Sequence, residues 1–298
     1  MLLSGWLQRN ARGFQTVTGK AFRPRPIRLG RARPWVGAGV VAYFLVTVVL
    51  PVGVLVYASL LKFYAAPSLE TLRTMTLDNY AAVIHMPLAS TALTNSVLLG
   101  VGSATVVMLL ASIVSWVVVR TRLPGRRLLD LLAFTPIVIP GLVLGLALSF
   151  VYLRVPLPIY GTLAILLISY CTRYLPYGMR YASSAMTQMS KELEESAMVF
   201  GASWLQSFRR ILVPLASSGI LAGWVYILVV SFRELSSTIL LYSPGKEVLS
   251  VLIWEQFENG QFPTLAALGV CMVALLVALV LVAYRLGARV GLQSETAD

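Results

Sequence analysis

Charged residues are scarce in this sequence, since they make up only 12% of its 298 residues. An average soluble domain carries about 25% charged residues. Apolar residues make up 58% of the chain, and several apolar runs reach the roughly 20 residues that a helix needs to cross a bilayer. A soluble fold of this length could not bury so many long runs. The sequence therefore predicts an integral membrane protein.

Histidine and cysteine are nearly missing, which excludes several kinds of site. His85 is the one histidine, and the two cysteines, Cys171 and Cys271, lie in apolar runs without a CxxC pattern or a Cys/His neighbour. Histidine clusters and Cys–His nucleophile pairs are thus excluded within the chain, and a metal site or disulfide framework has no support. No paired acids or Ser–His set is evident at membrane depth, so we predict no catalytic residues and disfavour an intramembrane enzyme.

A nucleotide-binding loop is also missing from the sequence. The pattern GxxxxGK followed by Ser or Thr does not occur, and the one similar stretch, LYSPGKE, lacks both its first glycine and the final hydroxyl. We therefore expect that this chain does not hydrolyse ATP, and that the energy for any active process comes from a partner.

Six apolar runs are predicted to be transmembrane helices, because lipid offers no hydrogen-bond partner to an unpaired backbone group. A closed β-barrel would need alternating strands of about ten residues, whereas these runs are continuous. The predicted spans are 35–61, 91–119, 128–153, 159–179, 214–242 and 264–286. The predicted fold class is an all-α integral membrane protein with about six transmembrane helices.

Basic residues are distributed unevenly over the loops. Eight Lys or Arg lie in the N-terminal tail, four in the 120–127 loop, five across 173–210 and two after the last span. The opposite side holds only Lys62, Arg73, Arg154 and Lys246. By the positive-inside rule, both termini and the 180–213 insert are cytoplasmic. The net charge of +12 then reflects topology and attraction to anionic lipid rather than a nucleic-acid partner.

The third predicted span is interrupted by Pro136, Pro140, Gly141 and Gly145. Proline removes a backbone donor and kinks a helix, and small residues let helices approach closely. This pattern is compatible with ordinary close packing and with a bent helix that lines a substrate path.

A polar insert, ELEESAMVFGASWLQSFRRILVPL at 192–215, separates two apolar runs. Ser190 would cap a first short helix, and Gly201 would end it at a position with positive φ. A second segment places Trp204, Phe208, Ile211 and Leu215 at spacings of four, three and four. Pro214 would sit in the first turn of the next transmembrane helix. We predict an amphipathic elbow, which is either a plain connector or a helix that docks in a groove of a partner.

The spacing within this elbow resembles the EAA motif, E-A-A-x3-G-x9-I-x-L-P, of permease subunits of binding-protein-dependent ABC importers. The matching residues are Glu195, Ser196, Ala197, Gly201, Ile211 and Pro214, with Ser196 and Val213 as departures from the pattern. The resemblance implies a type I ABC importer permease-like fold whose elbow, about 190–213, is the coupling helix received by a cytoplasmic ATPase subunit. Those six residues are then the ATPase-coupling set.

The same resemblance implies the rest of the complex. We expect no cofactor in this chain, ATP and Mg bound by a partner ATPase dimer, an extracytoplasmic substrate-binding protein, and a bacterial inner-membrane location. The expected organisation is a basic cytoplasmic tail at 1–34, a six-helix permease domain at 35–286 and a cytoplasmic tail at 287–298. A membrane scaffold or stand-alone channel is the alternative, and it would have no use for a docking elbow.

Three further stretches, FRELSSTILLYSPG (232–245), RYLPYGMRYASSAM (173–186) and TLDNYAAV (76–83), resemble ferric iron permeases. Such permeases commonly carry two six-helix halves, and residues 14–35 are similar to the linker between them. The resemblance implies ferric iron as cargo, and a second half that is a copy, a separate chain or another part of a longer protein. Importers of thiamine, aminoethylphosphonate or polyamines remain alternatives, because related permeases share parts of these patterns.

Two charged residues, Arg233 and Glu234, lie in the apolar run 214–242. A charge at the bilayer centre costs about 2.5–3.5 kcal/mol on insertion scales. They either form an interhelical pair that fixes packing or line an aqueous path. In the second case, oxygen atoms would suit a hard ferric ion and Arg233 an accompanying anion. The substrate-path candidates are Arg233, Glu234, Ser236, Ser237 and Thr238, and metal ligands stay unassigned.

Tyrosines near predicted span ends are interpreted as interface anchors rather than iron ligands. They are Tyr160, Tyr170, Tyr174, Tyr177 and Tyr181.

The loop 243–263 is predicted to hold a short re-entrant or surface helix on the outer side. It is a candidate contact for the binding protein or a simple connector.

Overall fold

The computed structural model describes residues 29–155, 157–189, 196–197, 199–207, 210 and 213–289, and all its regular elements are helical. The α-helices are α1 (Arg33–Phe44), α2 (Leu50–Ser59), α3 (Leu69–Arg73), α4 (Asp78–His85), α5 (Ala89–Arg120), α6 (Arg126–Phe134), α7 (Gly141–Arg154), α8 (Leu163–Gln188), α9 (Trp204–Ser207), α10 (Val213–Phe232), α11 (Thr238–Leu241), α12 (Leu249–Glu258) and α13 (Phe262–Arg289). A π-helical turn, Leu45–Val49, joins α1 to α2. The predicted all-α class is confirmed.

Four helical segments in the described part of the chain are long and apolar enough to cross a membrane. They are Gly30–Ser59, Ala89–Arg120, Pro214–Phe232 and Phe262–Arg285. The bent pair Arg126–Val138 and Gly141–Arg154 makes a fifth if it counts as one span. The fourth predicted span, 159–179, corresponds to α8, which falls outside this set because polar residues, including Arg173 and Arg180, interrupt its apolar run.

The third predicted span is a sharply broken element rather than one helix. Its two halves meet at 109°, where a 3₁₀ turn at Thr135–Val138 leads into extended backbone at Ile139 and Pro140. Pro140 cannot donate a backbone hydrogen bond, and a proline pushes the residue before it out of the helical region. The sequence predicted a kink, and the structure shows a change of direction.

The fifth predicted span, 214–242, is wrong in its last ten residues. Helix α10 ends at Phe232, and a non-helical break follows before α11 begins at Thr238. In this break the Glu234 carboxylate accepts a hydrogen bond from the Ser237 backbone N–H at 3.0 Å. Local side-chain bonds of this kind compete with helix formation. Arg233 and Glu234 therefore follow a spanning helix instead of lying within one.

The core lies where α5, α8 and α10 pack together. Two hydroxyl pairs cross these contacts. Ser103 and Ser231, both buried, lie 2.8 Å apart, and buried Ser115 lies 2.9 Å from half-buried Ser183. Paired hydroxyls satisfy each other where no water is present. Helix α2 packs on α13, whereas the residues of α1 are exposed along its whole length.

Helix α5 defines two opposite ends of the bundle. At its C-terminal end, Arg120 donates from Nη2 to the carbonyls of Met186 and Met189, at 2.6 and 3.0 Å. At its N-terminal end, Asn95 donates to the Glu247 carbonyl at 2.8 Å. The polar insert after α8 and the loop after α11 therefore lie at opposite ends, as the charge distribution predicted.

Candidate functional site

The polar insert forms a tight turn around Gly201. The Phe200 N–H donates to the Ser196 carbonyl at 3.1 Å, and the Ala202 N–H reaches back to the Ala197 carbonyl at 3.0 Å. Gly201 itself has a φ of 83°, a value that residues with a side chain rarely adopt. The predicted positive-φ position is therefore confirmed, and the turn ends the first half of the elbow.

The second half of the elbow begins with a cap that the sequence analysis missed. The Ser203 hydroxyl accepts the Gln206 N–H at 3.3 Å, and the Gln206 side chain accepts the Ser203 N–H at 2.8 Å. This reciprocal arrangement is a capping box, whose pattern is Ser or Thr followed three residues later by Glu or Gln. The letters SWLQ carried that signal.

Two large apolar side chains project from the turn. Val199 is 85% exposed and Phe200 is 91% exposed. No heavy atom outside the adjacent residues lies within 4 Å of the position that a Cβ on Gly201 would take. These two side chains are therefore available for contact with a partner.

The predicted coupling set is placed only in part. Ser196 and Pro214 are exposed, and Ala197 is half-buried. Glu195 and Ile211 lie outside the described residues, as do the predicted cap Ser190 and the apolar Phe208. The ATPase-coupling role of the set stays a prediction.

The break after α10 is organised around the carboxylate of Glu234, which is 5% exposed. Its Oε2 lies 2.9 Å from Arg173 Nε and 2.6 Å from the Tyr174 hydroxyl. Its Oε1 accepts hydrogen bonds from the N–H and the hydroxyl of Ser237, at 3.0 and 3.2 Å. Both oxygens of this buried carboxylate therefore have hydrogen-bond partners. The interhelical pair is thus Glu234 with Arg173 on α8, not with its neighbour Arg233.

A second layer fixes the backbone of the break. The carbonyl of Glu234 accepts the hydroxyls of Thr238, at 2.8 Å, and Ser250, at 2.9 Å. The Tyr170 hydroxyl lies 2.8 Å from the Thr238 hydroxyl. Tyr170 and Tyr174 are therefore buried partners of the break, and their interpretation as interface anchors is wrong. The sequence could not show this, because both residues are about 60 positions from Glu234.

The five substrate-path candidates divide into two groups. Arg233 and Ser236 are exposed, whereas Glu234, Ser237 and Thr238 are buried in the hydrogen-bonded network. Only the first two present side chains to the surface of this chain. The path role of all five stays a prediction.

Gly141 explains why the interrupted third span carries small residues. A Cβ on Gly141 would collide with the guanidinium of Arg173 and would lie 2.7 Å from Ser236 Cβ. One turn later, a Cβ on Gly145 would lie 2.9 Å from the Ser237 carbonyl oxygen. The start of α7 thus packs directly against the break, which confirms the close-packing interpretation of these glycines.

We expect Gly141→Ala to disturb the ion pair between Arg173 and Glu234. Overpacking a tight site costs about 1–3 kcal/mol, so the thermal midpoint of the purified chain should fall. The matched control is Gly102→Ala, whose Cβ would meet Leu167 Cδ1 at an ordinary 3.5 Å. Equal midpoints for both variants would show that the approach at Gly141 is not tight.

The loop after α11 holds α12, which bears out the short helix predicted in 243–263. Its contact with a binding protein stays a prediction.

Comparison with known proteins gives the same overall picture. The profile of the family "Binding-protein-dependent transport system inner membrane component" matches residues 108–291. The ferric transport system permease protein FbpB of Actinobacillus pleuropneumoniae is 28% identical over 70% of this chain, but the match covers 31% of FbpB. The chain therefore spans about a third of that relative's length. A putative 2-aminoethylphosphonate permease, PhnV of Salmonella typhimurium, is 28% identical over 85% of this chain and 95% of its own length.

Solved structures share the fold. A chain of a bacterial alginate ABC transporter, crystallised with a periplasmic protein that binds alginate pentasaccharide, superposes with a TM-score of 0.69 at 17% identity. That match covers 88% of this chain and 96% of the other. A chain of the MetNI methionine ABC transporter gives a TM-score of 0.57 at 17% identity, over 72% of this chain and 99% of the other.

Proposed function

The chain belongs to the family of inner-membrane components of binding-protein-dependent transport systems, and from that membership we propose that it is one permease half of an ATP-driven importer of ferric iron. A separate cytoplasmic ATPase dimer would bind ATP and Mg and supply the energy. A second permease half and an external substrate-binding protein would complete the complex. The observation that carries this proposal is the exposed elbow at Val199 and Phe200.

The elbow has the features of a docking element. Its backbone is fixed locally by the positive φ of Gly201 and by the capping box at Ser203, so it is preorganised before a partner arrives. Its two exposed side chains offer an aromatic and an aliphatic anchor, and aromatic residues dominate the binding energy of protein interfaces. A plain connector would need neither feature.

The elbow is also attached firmly to the bundle. The Arg120 guanidinium holds the carbonyls of Met186 and Met189 just before it. Helices α8 and α10, on either side of the elbow, extend into the core and meet again at the pair of Arg173 with Glu234. Movement of the elbow would therefore be passed to the break along two packed helices.

This arrangement suits an alternating-access mechanism. Closure of the ATPase dimer on ATP would bring the elbows of the two permease halves together, and the far ends of their helices would separate to receive substrate. Hydrolysis would reset them. The elbow then faces the cytoplasm, with both termini on that side, in agreement with the basic residues in the tail and in the 120–127 loop.

Ferric iron is the cargo favoured by the FbpB relatives. A second candidate is a phosphonate, because PhnV matches over nearly its full length and because Arg233, exposed beside the break, would suit an anion. Trehalose and sulfate permeases are also among the relatives. The cargo is therefore the part of the proposal that an experiment must decide.

We expect ferric iron to stimulate ATP hydrolysis by the purified complex. The complex should be isolated with its native ATPase and binding protein, reconstituted in liposomes, and assayed with ferric ion, 2-aminoethylphosphonate, sulfate and trehalose in turn. Stimulation by ferric ion alone would support the proposal. Stimulation only by another substrate would contradict ferric iron as the cargo but would still support an importer. If none of the external solutes stimulates hydrolysis, the proposal that the complex is an importer is contradicted.

A further inference from the structure

A buried carboxylate with an unused oxygen lies at the end of the bundle opposite the elbow. Glu247 is 6% exposed, and its Oε1 accepts the N–H of Gly245 at 2.9 Å. Its Oε2 is buried and accepts no hydrogen bond from any described residue. Glu234, equally buried, has partners for both oxygens. The difference shows that Glu247 lacks the protein partners that a buried carboxylate requires.

Two more oxygen-bearing side chains interact electrostatically with Glu247. Tyr242, before the turn, and Glu255, on α12, are both half-buried, and each of the three groups lies within electrostatic range of the other two. Burial, and secondarily the charge of Glu247, raise the pKa of the Glu255 carboxyl above its ordinary value. Like charges held together in this way favour a bound cation.

No described cation neutralises this cluster. Lys246 precedes Glu247 in the chain, yet no ion pair joins its ammonium to Glu247 or Glu255 in the part of the chain that the structure describes. Those described residues also bring no three His, Cys, Asp or Glu side chains together as a metal site. The two carboxylates of the cluster are accompanied by one further oxygen-bearing group, the phenol of Tyr242, which interacts electrostatically with both.

The segment that carries Glu247 is held rigidly. Asn95 Nδ2 donates to the Glu247 carbonyl at 2.8 Å, and the Leu249 N–H donates to the Ser96 hydroxyl at 2.8 Å. Both contacts attach the segment to α5. The buried carboxylate is thus fixed in place, as a ligand must be if it is to bind without first reorganising.

We propose that Tyr242, Glu247 and Glu255 form a binding site for a hard, multivalent cation. Two carboxylates and a phenol offer only oxygen donors, which are the ligands that hard cations prefer. Glu247 would lie at the base of the site, with Tyr242 and Glu255 at its mouth. In the proposed function, this end of the bundle, opposite the elbow, faces outward. The site would there receive ferric ion released by the binding protein.

The test is metal binding by the purified full-length chain in detergent, with Tb³⁺ alone as the probe. Tb³⁺ is a hard trivalent ion whose luminescence is sensitised by a nearby phenol, so Tyr242 reports on it directly. Even residues that only support a metal ligand typically contribute about 10–100-fold to affinity. We therefore expect Glu247→Gln and Glu255→Gln each to weaken binding by at least about tenfold, and Tyr242→Phe to reduce the sensitised signal.

Glu258→Gln is the matched control, because Glu258 is an exposed carboxylate near Glu255 on α12 and should leave binding unchanged. Circular dichroism and gel filtration establish that each variant is folded. If Glu247→Gln does not fold, Glu255→Gln decides, since its side chain makes no hydrogen bond to the described residues. Absence of Tb³⁺ binding by the native chain, or equal binding by folded site variants and control, would overturn the site.

Because this site depends on the proposed function only for its cargo, the two can fail separately. Tb³⁺ binding without stimulation of the reconstituted ATPase by ferric ion would contradict ferric iron as the cargo but would still support a cation site. Stimulation by ferric ion without Tb³⁺ binding would contradict the cation site but would still support the proposed importer.

Discussion

Phe200→Asp is expected to detach the chain from its ATPase subunit. Phe200 is 91% exposed at the tip of the elbow, and truncating an aromatic anchor at an interface typically costs about 2 kcal/mol or more. An affinity loss of about 30-fold or more follows, and aspartate adds the cost of burying a charge. Co-purification of the ATPase and stimulated ATP hydrolysis should both fall to near background.

The chain offers a matched control for this change. Phe63 is 84% exposed in the loop after α2, which lies on the outer side in the proposed topology. Phe63→Asp should leave ATPase binding intact, because it removes an equally exposed aromatic ring from the other face. A Phe200→Asp complex that stays assembled and hydrolyses ATP normally would mean that the elbow is only a connector.

Glu234→Ala is expected to destabilise the chain more than any other single change considered. It removes the partner of Arg173 and the acceptor of the Ser237 N–H, and it leaves the Tyr174 hydroxyl with only the Val230 carbonyl, at 3.1 Å. Breaking a buried ion pair from one side costs about 3–5 kcal/mol. Arg173 is 27% exposed, so we expect the lower end, about 3 kcal/mol. Thermal unfolding of the purified chain measures the loss.

Three further variants provide a control, a test of the ion pair and a test of transport. Glu70→Ala removes an exposed carboxylate from α3 and should leave the thermal midpoint unchanged. Combining Glu234→Leu with Arg173→Met removes both charges and should restore part of the stability. An unchanged midpoint in Glu234→Ala would show that the ion pair is not structural. Normal transport by an assembled Glu234→Gln complex would remove this carboxylate from the substrate path.

The turn at Gly201 and the position of Pro214 were the parts of the elbow that the sequence predicted correctly, because their determinants are local. A glycine in the left-handed region and a proline in a first turn have conformational effects that depend on adjacent residues only. Gly201 accordingly has the expected positive φ. The capping box at Ser203 was equally local and was simply overlooked.

The break after α10 was not predicted, because its determinants are distant in the chain. The apolar run 214–242 gives no sign that a helix ends at Phe232. The end depends on Glu234 meeting Arg173 and Tyr174, which lie on another helix about 60 residues earlier. The bend at Pro140 is similar, since proline predicts a kink but not its 109° angle, and the bend lies beside the close contact of Gly141 with Arg173 on another helix. Pairings between helices cannot be deduced from periodicity.

The most direct test of whether the elbow docks on the ATPase subunit is photocrosslinking from position 199 in intact inner membranes. Val199 is 85% exposed beside Phe200, so a photoreactive amino acid in its place should not disturb the fold. We expect a crosslink to the cytoplasmic ATPase subunit from position 199 and none from position 63. A crosslink from position 199 to the external binding protein, or no protein crosslink in an assembled complex, would contradict this docking.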